Sequence, residues 1–217
     1  MIKRKEKRNK KEFIWSGMHP FFIDPFISYF TPGLKGKVVV DCGCGKGMVG
    51  YLTRATRDLE GGKMIGLDSN EKMLSFCREH KVYDKLIKNT LPKLPFKDKS
   101  VDFLMCTEVI EHLSKKDGQK FLKEVDRVCR GRAIVSTPNV FFDNPPGEKQ
   151  DVHQSLWKTR DFKDFGYKVY GLGVMVPFVG ENPKFLKIKQ AFYYIFTPFC
   201  YFIPQISANL LCVKDFS

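Results

Sequence analysis

The seven residues Asp41-Cys42-Gly43-Cys44-Gly45-Lys46-Gly47 place glycine at alternate positions directly after an apolar run. Glycine lets a backbone turn sharply beneath a ligand, and the N-terminus of a following helix can meet an anionic group such as a free carboxylate. The dinucleotide fingerprint GxGxxG would want glycine where Met48 stands, so the loop suits a ligand without a pyrophosphate, such as one with an amino-acid moiety. Asp68, 21 residues after Gly47, closes a second apolar run. A carboxylate there can accept hydrogen bonds from both hydroxyls of a ribose, although an aspartate in that position could equally cap a helix.

A second reactive group is Thr107-Glu108-Val109-Ile110-Glu111-His112, with His153 following later in DVHQSLW. Spacings of three and four would let Glu108, Glu111 and His112 share one helical face. Two carboxylates and two imidazoles make a mixed oxygen and nitrogen set suited to a divalent cation such as Mg. A bound cation lowers the pKa of a hydroxyl and orients it. Without metal, His112 or His153 could act as a general base. The bland alternative gives the two glutamates to helix capping and His112 to a satisfied, half-buried position.

These groups need a frame that brings them to one edge. Val38-Val39-Val40 reads as a buried strand, followed by the glycine loop and by Met48, Val49, Tyr51, Leu52, Ala55 and Leu59 at helical spacing. Lys63 to Leu67 is a second strand, and Asn70 is the N-cap of a helix carrying Met73, Leu74, Phe76 and Cys77. Strands then read at Tyr83 to Ile87, Val101 to Cys106 and Ala133 to Ser136, with a helical face of Phe121, Leu122, Val125, Val128 and Cys129 between the last two. After Pro138 the rhythm weakens to a helix near Lys158 to Phe165 and strands Tyr167 to Leu172 and Ser207 to Val213. Repeated βα units imply an α/β three-layer sandwich with a mostly parallel seven-stranded sheet, its last strand antiparallel, and ligands beyond the carboxyl ends of the strands.

At 217 residues the chain fits one domain, here divided into a basic tail and N-terminal lid helices over 1–36 and a main domain over 37–217 with an apolar insert near 174–204. With 43% hydrophobic and 28% charged residues the composition is globular rather than disordered or fibrous. Seven cysteines without a CxxC pair suit reduced thiols, and MIKRKEKRNKKEF lacks the apolar run of a secretory signal, so a cytoplasmic location is expected. The net charge of +13, of which +5 falls in the first twelve residues, favours anionic partners, whether nucleic acid, lipid or an acidic small molecule.

The stretches VVVDCGCGKG, IGLDSN, LPKLPFKDKSVDFLMCTEVIEHL and AIVSTPN, over about residues 37 to 140, resemble the successive motifs of class I, Rossmann-like, S-adenosylmethionine-dependent methyltransferases. The resemblance implies S-adenosyl-L-methionine as cofactor. It assigns Asp41, Gly43 and Gly45 to its methionine and ribose parts, Asp68 to the ribose diol, and Thr90 and Leu91 to the adenine, with Cys44, Ser69 and Thr107 also among the cofactor-binding residues. Thr90 departs from the aspartate often found there, which leaves the adenine contact to the backbone. The ExxEH segment and later histidine are similar to those of metal-assisted O-methyltransferases, implying Glu108, His112 and His153 as catalytic and Glu108, Glu111, His112 and His153 as metal ligands.

The run FYYIFTPFCYFIP, Phe192 to Pro204, is too short to span a bilayer and could be core, a lid over the acceptor or a membrane-surface patch. It favours a small apolar, lipid-linked or glycan acceptor, with peripheral membrane contact as a further option. The basic tail argues instead for RNA and ribose 2′-O-methylation. A third reading is a cofactor-binding partner subunit without catalysis. On this view residues 13 to 30 and 174 to 204 should pack together over the carboxyl edge of the sheet.

Overall fold

The computed structural model describes residues 26–140, 152–174, 195–196 and 198–216. Seven strands form one sheet in the order β3-β2-β1-β4-β5-β7-β6. They are β1 Val38–Cys42, β2 Lys63–Asp68, β3 Lys85–Lys88, β4 Val101–Thr107, β5 Cys129–Pro138, β6 Lys168–Val174 and β7 Ser207–Asp215. Strands β3, β2, β1, β4 and β5 run parallel, and β7 is antiparallel to both β5 and β6. The helices are α1 Met48–Thr56, α2 Glu71–Glu79, α3 Lys115–Val128 and α4 Thr159–Lys163. This is the expected three-layer α/β sandwich with its last strand antiparallel.

Alternation along the strands divides the core in two, because successive side chains leave opposite faces. Val40, Cys42, Leu67, Cys106, Val135 and Leu210 point to the side covered by α3, Trp157 and Phe162. Val39, Met64, Met105, Ile134 and Leu211 point to the side covered by Leu74 and Cys77 of α2 and by Ile27, Phe30 and Leu34. The register between β4 and β5 slips between Val101 and Phe103. The extra residue lies in β5, which advances three residues where β4 advances two. Gly131 sits there because a Cβ would meet the Asp102 carbonyl oxygen at 2.1 Å.

Element boundaries shift in ways the physics explains. β5 begins at Cys129 rather than Ala133, because its first residues pair with the start of β4 beyond the apolar stretch. β3 starts at Lys85 rather than Tyr83, since the Tyr83 ring turns under the sheet toward Gly50 and Gly66. α4 is only five residues long, and Gly166 at φ 80 ends the turn after it.

The lid expectation changes for the part that can be described. Residues 26–30 are helical and lie on the sheet face opposite α3. The Arg57 guanidinium, just past the C-terminus of α1, donates to the Ser28 and Thr31 carbonyls, and Arg132 near the start of β5 donates to Phe30 O at 2.8 Å. These anchors hold residues 28–31 at the amino side of the sheet, while Phe26 at the start of the helix stacks on Tyr201 with ring centroids 5.9 Å apart, a contact between the two segments expected to pack together. Residues 1–25 and 175–194, with most of the basic tail and the apolar insert, lie outside the described residues.

Candidate functional site

Three neighbouring strands, β2, β1 and β4, deliver the candidate residues to the carboxyl edge, at the point where strand order reverses about β1. The glycine loop leaves β1 and is fastened to the end of β2. Gly43 N and Cys44 N both donate to Leu67 O at 2.8 Å, and Gly45 N donates to Asp68 Oδ2 at 2.9 Å. Gly43 has φ 73, and a Cβ on it would meet Val109 Cγ2 at 2.4 Å, so both the turn and the close approach require glycine. A Cβ at Gly45 would meet nothing within 4 Å, which leaves that side of the loop open.

Asp68 is half-buried, and its other oxygen, Oδ1, accepts from Asn70 N at 2.8 Å. Asn70 itself caps α2 by accepting from Lys72 N. Asp68 therefore supports the start of α2 and fastens the glycine loop at once.

Asp41 lies beneath the loop, 2% exposed, and its Oδ2 accepts from Tyr83 Oη at 2.6 Å. Burial pushes its carboxyl up to about 6, the Tyr83 hydrogen bond opposes this, and the Asp68 charge adds to the rise. Cys44 is buried, with its thiol in the core below the loop, so it can offer a ligand only its backbone. Ser69 and Thr90 are exposed, while Leu91 and Thr107 are half-buried. Leu91 packs on the α3 side of the core.

Glu108, Glu111 and His112 do not share a helical face. Glu108 follows β4 with a left-handed φ of 54, and only Ile110–His112 form a short 3-10 turn before α3. The positive φ sends the Glu108 side chain back across the sheet, where Oε1 accepts from Ser136 Oγ at 2.8 Å and Oε2 from Asn209 Nδ2 at 3.1 Å. Glu111 is 3% exposed and accepts from Thr137 Oγ1 at 3.0 Å. Burial raises Glu108 to about 7 against these two hydrogen bonds, and burial with the Glu108 charge holds Glu111 well above the usual carboxylate range.

His153 arrives from far along the chain because residues 152–158 are pinned to the turn. Gln154 N and Ser155 N donate to Glu111 O at 2.8 and 3.1 Å, and Trp157 is fully buried under the Lys115 ammonium, 3.9 Å from its ring centroid. Gly118 of α3 makes room for that indole, since a Cβ would meet Cζ2 at 2.2 Å. The His112 and His153 rings stand edge to face with centroids 5.0 Å apart. Ligand atoms of Glu111, His112 and His153 lie within 4.8 Å of one another. Glu108 stands outside this trio, its two oxygens engaged by Ser136 and Asn209, so the expected four-residue metal set reduces to three.

Tyr83, Ser136, Thr137 and Asn209 were not singled out from the sequence. Ser136 and Thr137 end an apolar strand, which is a signal for an edge position. Tyr83 and Asn209 carry no local signal, because only the packing of distant strands makes them partners of Asp41 and Glu108.

The raised carboxyls bear on stability. A raised folded pKa means that the folded chain holds its proton more tightly, so stability is greatest at low pH and falls as pH rises through about 6 for Asp41 and about 7 for Glu108. Glu124, lowered to about 2 by the hydrogen bond from Arg127, acts in the opposite sense at lower pH, where its contribution is lost as pH falls. Urea unfolding should thus show lower stability at pH 8 than at pH 5. Asp41→Asn should recover on the order of 2 to 3 kcal/mol of it, at about 1.4 kcal/mol per pKa unit. Equal stability at both pH values, with no gain in the variant, would contradict the burial account of Asp41.

Residues 40–136 match the family described as Methyltransferase domain. That stretch, a little under half of the chain, is similar to a methyltransferase domain. A Mycobacterium tuberculosis protein named Probable S-adenosylmethionine-dependent methyltransferase is 32% identical over 111 residues, covering 50% of this chain and 38% of that protein. The Ubiquinone biosynthesis O-methyltransferase of Rickettsia akari is 27% identical over 122 residues, covering 55% of this chain and 47% of that enzyme. This chain thus spans less than half the length of these curated relatives. The crystal structure of a SAM-dependent methyltransferase from Archaeoglobus fulgidus superposes with a TM-score of 0.60 at 17% identity, covering 89% of this chain and 92% of that one, which establishes the common fold. The matched stretch holds the glycine loop, Asp68 and the Glu108 to His112 segment, whereas His153 and Asn209 fall beyond it.

Proposed function

We propose that the chain transfers a methyl group from S-adenosylmethionine to a hydroxyl oxygen of a small apolar or lipid-linked acceptor. The observation that carries this is the open side of Gly45, bounded by Asp68 at the end of β2 on one side and by the end of β4, which Glu108 follows, on the other. A cofactor with a ribose and an amino-acid end fits this cradle. Asp68 would accept from the ribose diol, the backbone of Gly43, Cys44 and Gly45 would line the methionine part, Ser69 would stand beside the ribose, and Thr90 and Leu91 would flank the adenine. Thr107 would wall the pocket, and Asp41 would add negative potential from below. When bound, S-adenosylmethionine supplies an electrophilic methyl on a sulfonium that departs as a neutral thioether.

The protein must position the acceptor oxygen and take its proton. Glu108, raised to about 7, suits a general base near neutral pH, and Ser136 and Asn209 fix its direction. His112 and His153 border the same space and can orient the acceptor. The compact trio Glu111, His112 and His153 has the donor set and spacing to hold a divalent cation, which would polarise the acceptor hydroxyl. The seven free, buried thiols suit a reducing compartment such as the cytoplasm.

The test is methyl-labelled S-adenosylmethionine offered with hydroxylated apolar acceptors, glycans and RNA, after EDTA and again with added Mg. Calorimetry should show cofactor binding, and label should enter an apolar acceptor. Transfer to RNA alone would move the acceptor to ribose 2′-hydroxyls, and binding without any transfer would favour a partner subunit. Equal rates with and without EDTA would remove the cation.

A further inference from the structure

Asp41, the penultimate residue of β1, lies beneath the glycine loop, and Tyr83 Oη donates to its Oδ2 at 2.6 Å with both side chains buried. The phenol is delivered by a stretch between α2 and β3 that is tied down on both sides. Val82 N donates to Cys77 O at 3.1 Å, and Arg54 Nε donates to Val82 O at 2.6 Å. After Tyr83, Asp84 N donates to Met64 O at 2.9 Å, and Asp84 Oδ2 accepts from Met64 N at 2.7 Å. The ring lies where two glycines leave space, since a Cβ on Gly66 would meet Cδ2 at 2.9 Å and one on Gly50 would strike the hydroxyl. Contacts with α1, α2 and β2 thus aim this phenol at this carboxyl.

The bond has an electrostatic consequence. Burial pushes Asp41 up to about 6, the Tyr83 hydrogen bond opposes the rise, and the Asp68 charge at the end of β2 adds to it. A hydroxyl that donates to a carboxylate favours the charged form, so Tyr83 governs how much of Asp41 is ionised near neutral pH. The other titratable groups facing Asp41 are thiols, on Cys42 of β1, Cys44 of the loop, Cys77 of α2 and Cys106 of β4. Burial holds Cys42 and Cys106 well above the ordinary thiol range. A hydrogen bond between Cys44 and Cys77 raises the first and lowers the second.

S-adenosylmethionine and its product S-adenosylhomocysteine differ by a methyl group and by the positive charge of the sulfonium. Contacts of the loop backbone and of Asp68 with the parts they share cancel between them. A carboxylate below the loop does not cancel, because it acts on the charge, and its field is strong where water is excluded. We propose that Tyr83 is a positioning residue of the cofactor site, whose hydroxyl keeps Asp41 a carboxylate beneath the glycine loop so that the site prefers the cationic cofactor to the neutral-sulfur product. The preference helps the product leave once the methyl has been transferred. It rests on the methyltransferase reading for its ligand, but the hold of Tyr83 on Asp41 does not.

Calorimetry with S-adenosylmethionine and with S-adenosylhomocysteine, between pH 5 and pH 8, tests the proposal. In the wild-type chain the ratio of the two affinities should rise about tenfold in favour of the cofactor as Asp41 ionises. Tyr83→Phe keeps the ring and loses the hydroxyl, so the rise should move up by about one pH unit. Asp41→Asn, which still offers Tyr83 an acceptor, should show no rise. A merely structural role for Tyr83 would weaken both ligands alike and leave the rise in place. The ligand-free chain gives a second readout in the carbon-13 carboxyl resonance of Asp41, identified by its loss in Asp41→Asn. It should titrate near pH 6 in the wild-type chain and about one unit higher in Tyr83→Phe. A flat ratio, a rise that persists in Asp41→Asn and so belongs to Asp68 or Cys77, or an Asp41 titration unmoved in Tyr83→Phe overturns the proposal while cofactor binding stands. Binding of neither ligand by the wild-type chain defeats the functional reading and the preference together.

Discussion

Replacing Asp68 with Ala should weaken S-adenosylmethionine binding by roughly ten- to a hundredfold while leaving the chain folded. The loss has two physical sources. A carboxylate that accepts from a ribose diol makes charge-assisted hydrogen bonds, worth about 1.5 to 3 kcal/mol together with the neighbours they orient. Asp68 also fastens Gly45 N to the end of β2, so its removal loosens the loop that must already be shaped when the ligand arrives. The fold should survive because Asp68 is only half-buried, and α2 keeps its own cap in Asn70. Asp68→Asn, which retains an acceptor for Gly45 but loses the charge, should fall between the two. Calorimetry on folded protein decides the matter, and an unchanged dissociation constant in Asp68→Ala would remove Asp68 from the site.

Glu108→Gln should lower kcat by roughly a hundred- to ten-thousandfold, the usual span for losing a positioned general base. Glutamine matches glutamate in shape and can still accept from Ser136 or Asn209, though its amide cannot accept from both. Cofactor affinity should therefore hold within a fewfold. The pH profile separates a chemical role from a merely structural one. In the wild-type chain the rate should rise as pH passes through about 7, where Glu108 ionises, and this limb should vanish in the variant. A variant with wild-type kcat, or one that retains the rise near pH 7, would pass the role of base to His112 or His153. Because the Glu108 charge adds to the burial that raises Glu111, Glu108→Gln should also let Glu111 ionise more readily.

What the sequence determined by itself was local. The period-two and helical patterns from Val38 to Ser136 gave the parallel half of the sheet, since strands buried on both faces must be apolar along their length. The alternate glycines and the carboxylate ending β2 marked the cofactor edge, because backbone turns and strand ends are dictated by neighbouring residues. Tertiary structure alone decided the arrangement of Glu108, Glu111, His112 and His153. No pattern within Thr107 to His112 announces that Glu108 takes a left-handed φ and turns away from Glu111 toward Ser136 and Asn209. That direction is set by β5 and β7, and Asn209 lies 101 residues away in the chain. His153 reaches His112 only because the buried Trp157 and the Glu111 carbonyl pin the connecting segment. The Asp41 carboxyl likewise looked ready for a ligand but is held by Tyr83 beneath the loop, a pairing that exists only once the ring can lie against Gly50 and Gly66. Such contacts join groups distant in the chain, so they follow from how the layers pack and not from any window of residues.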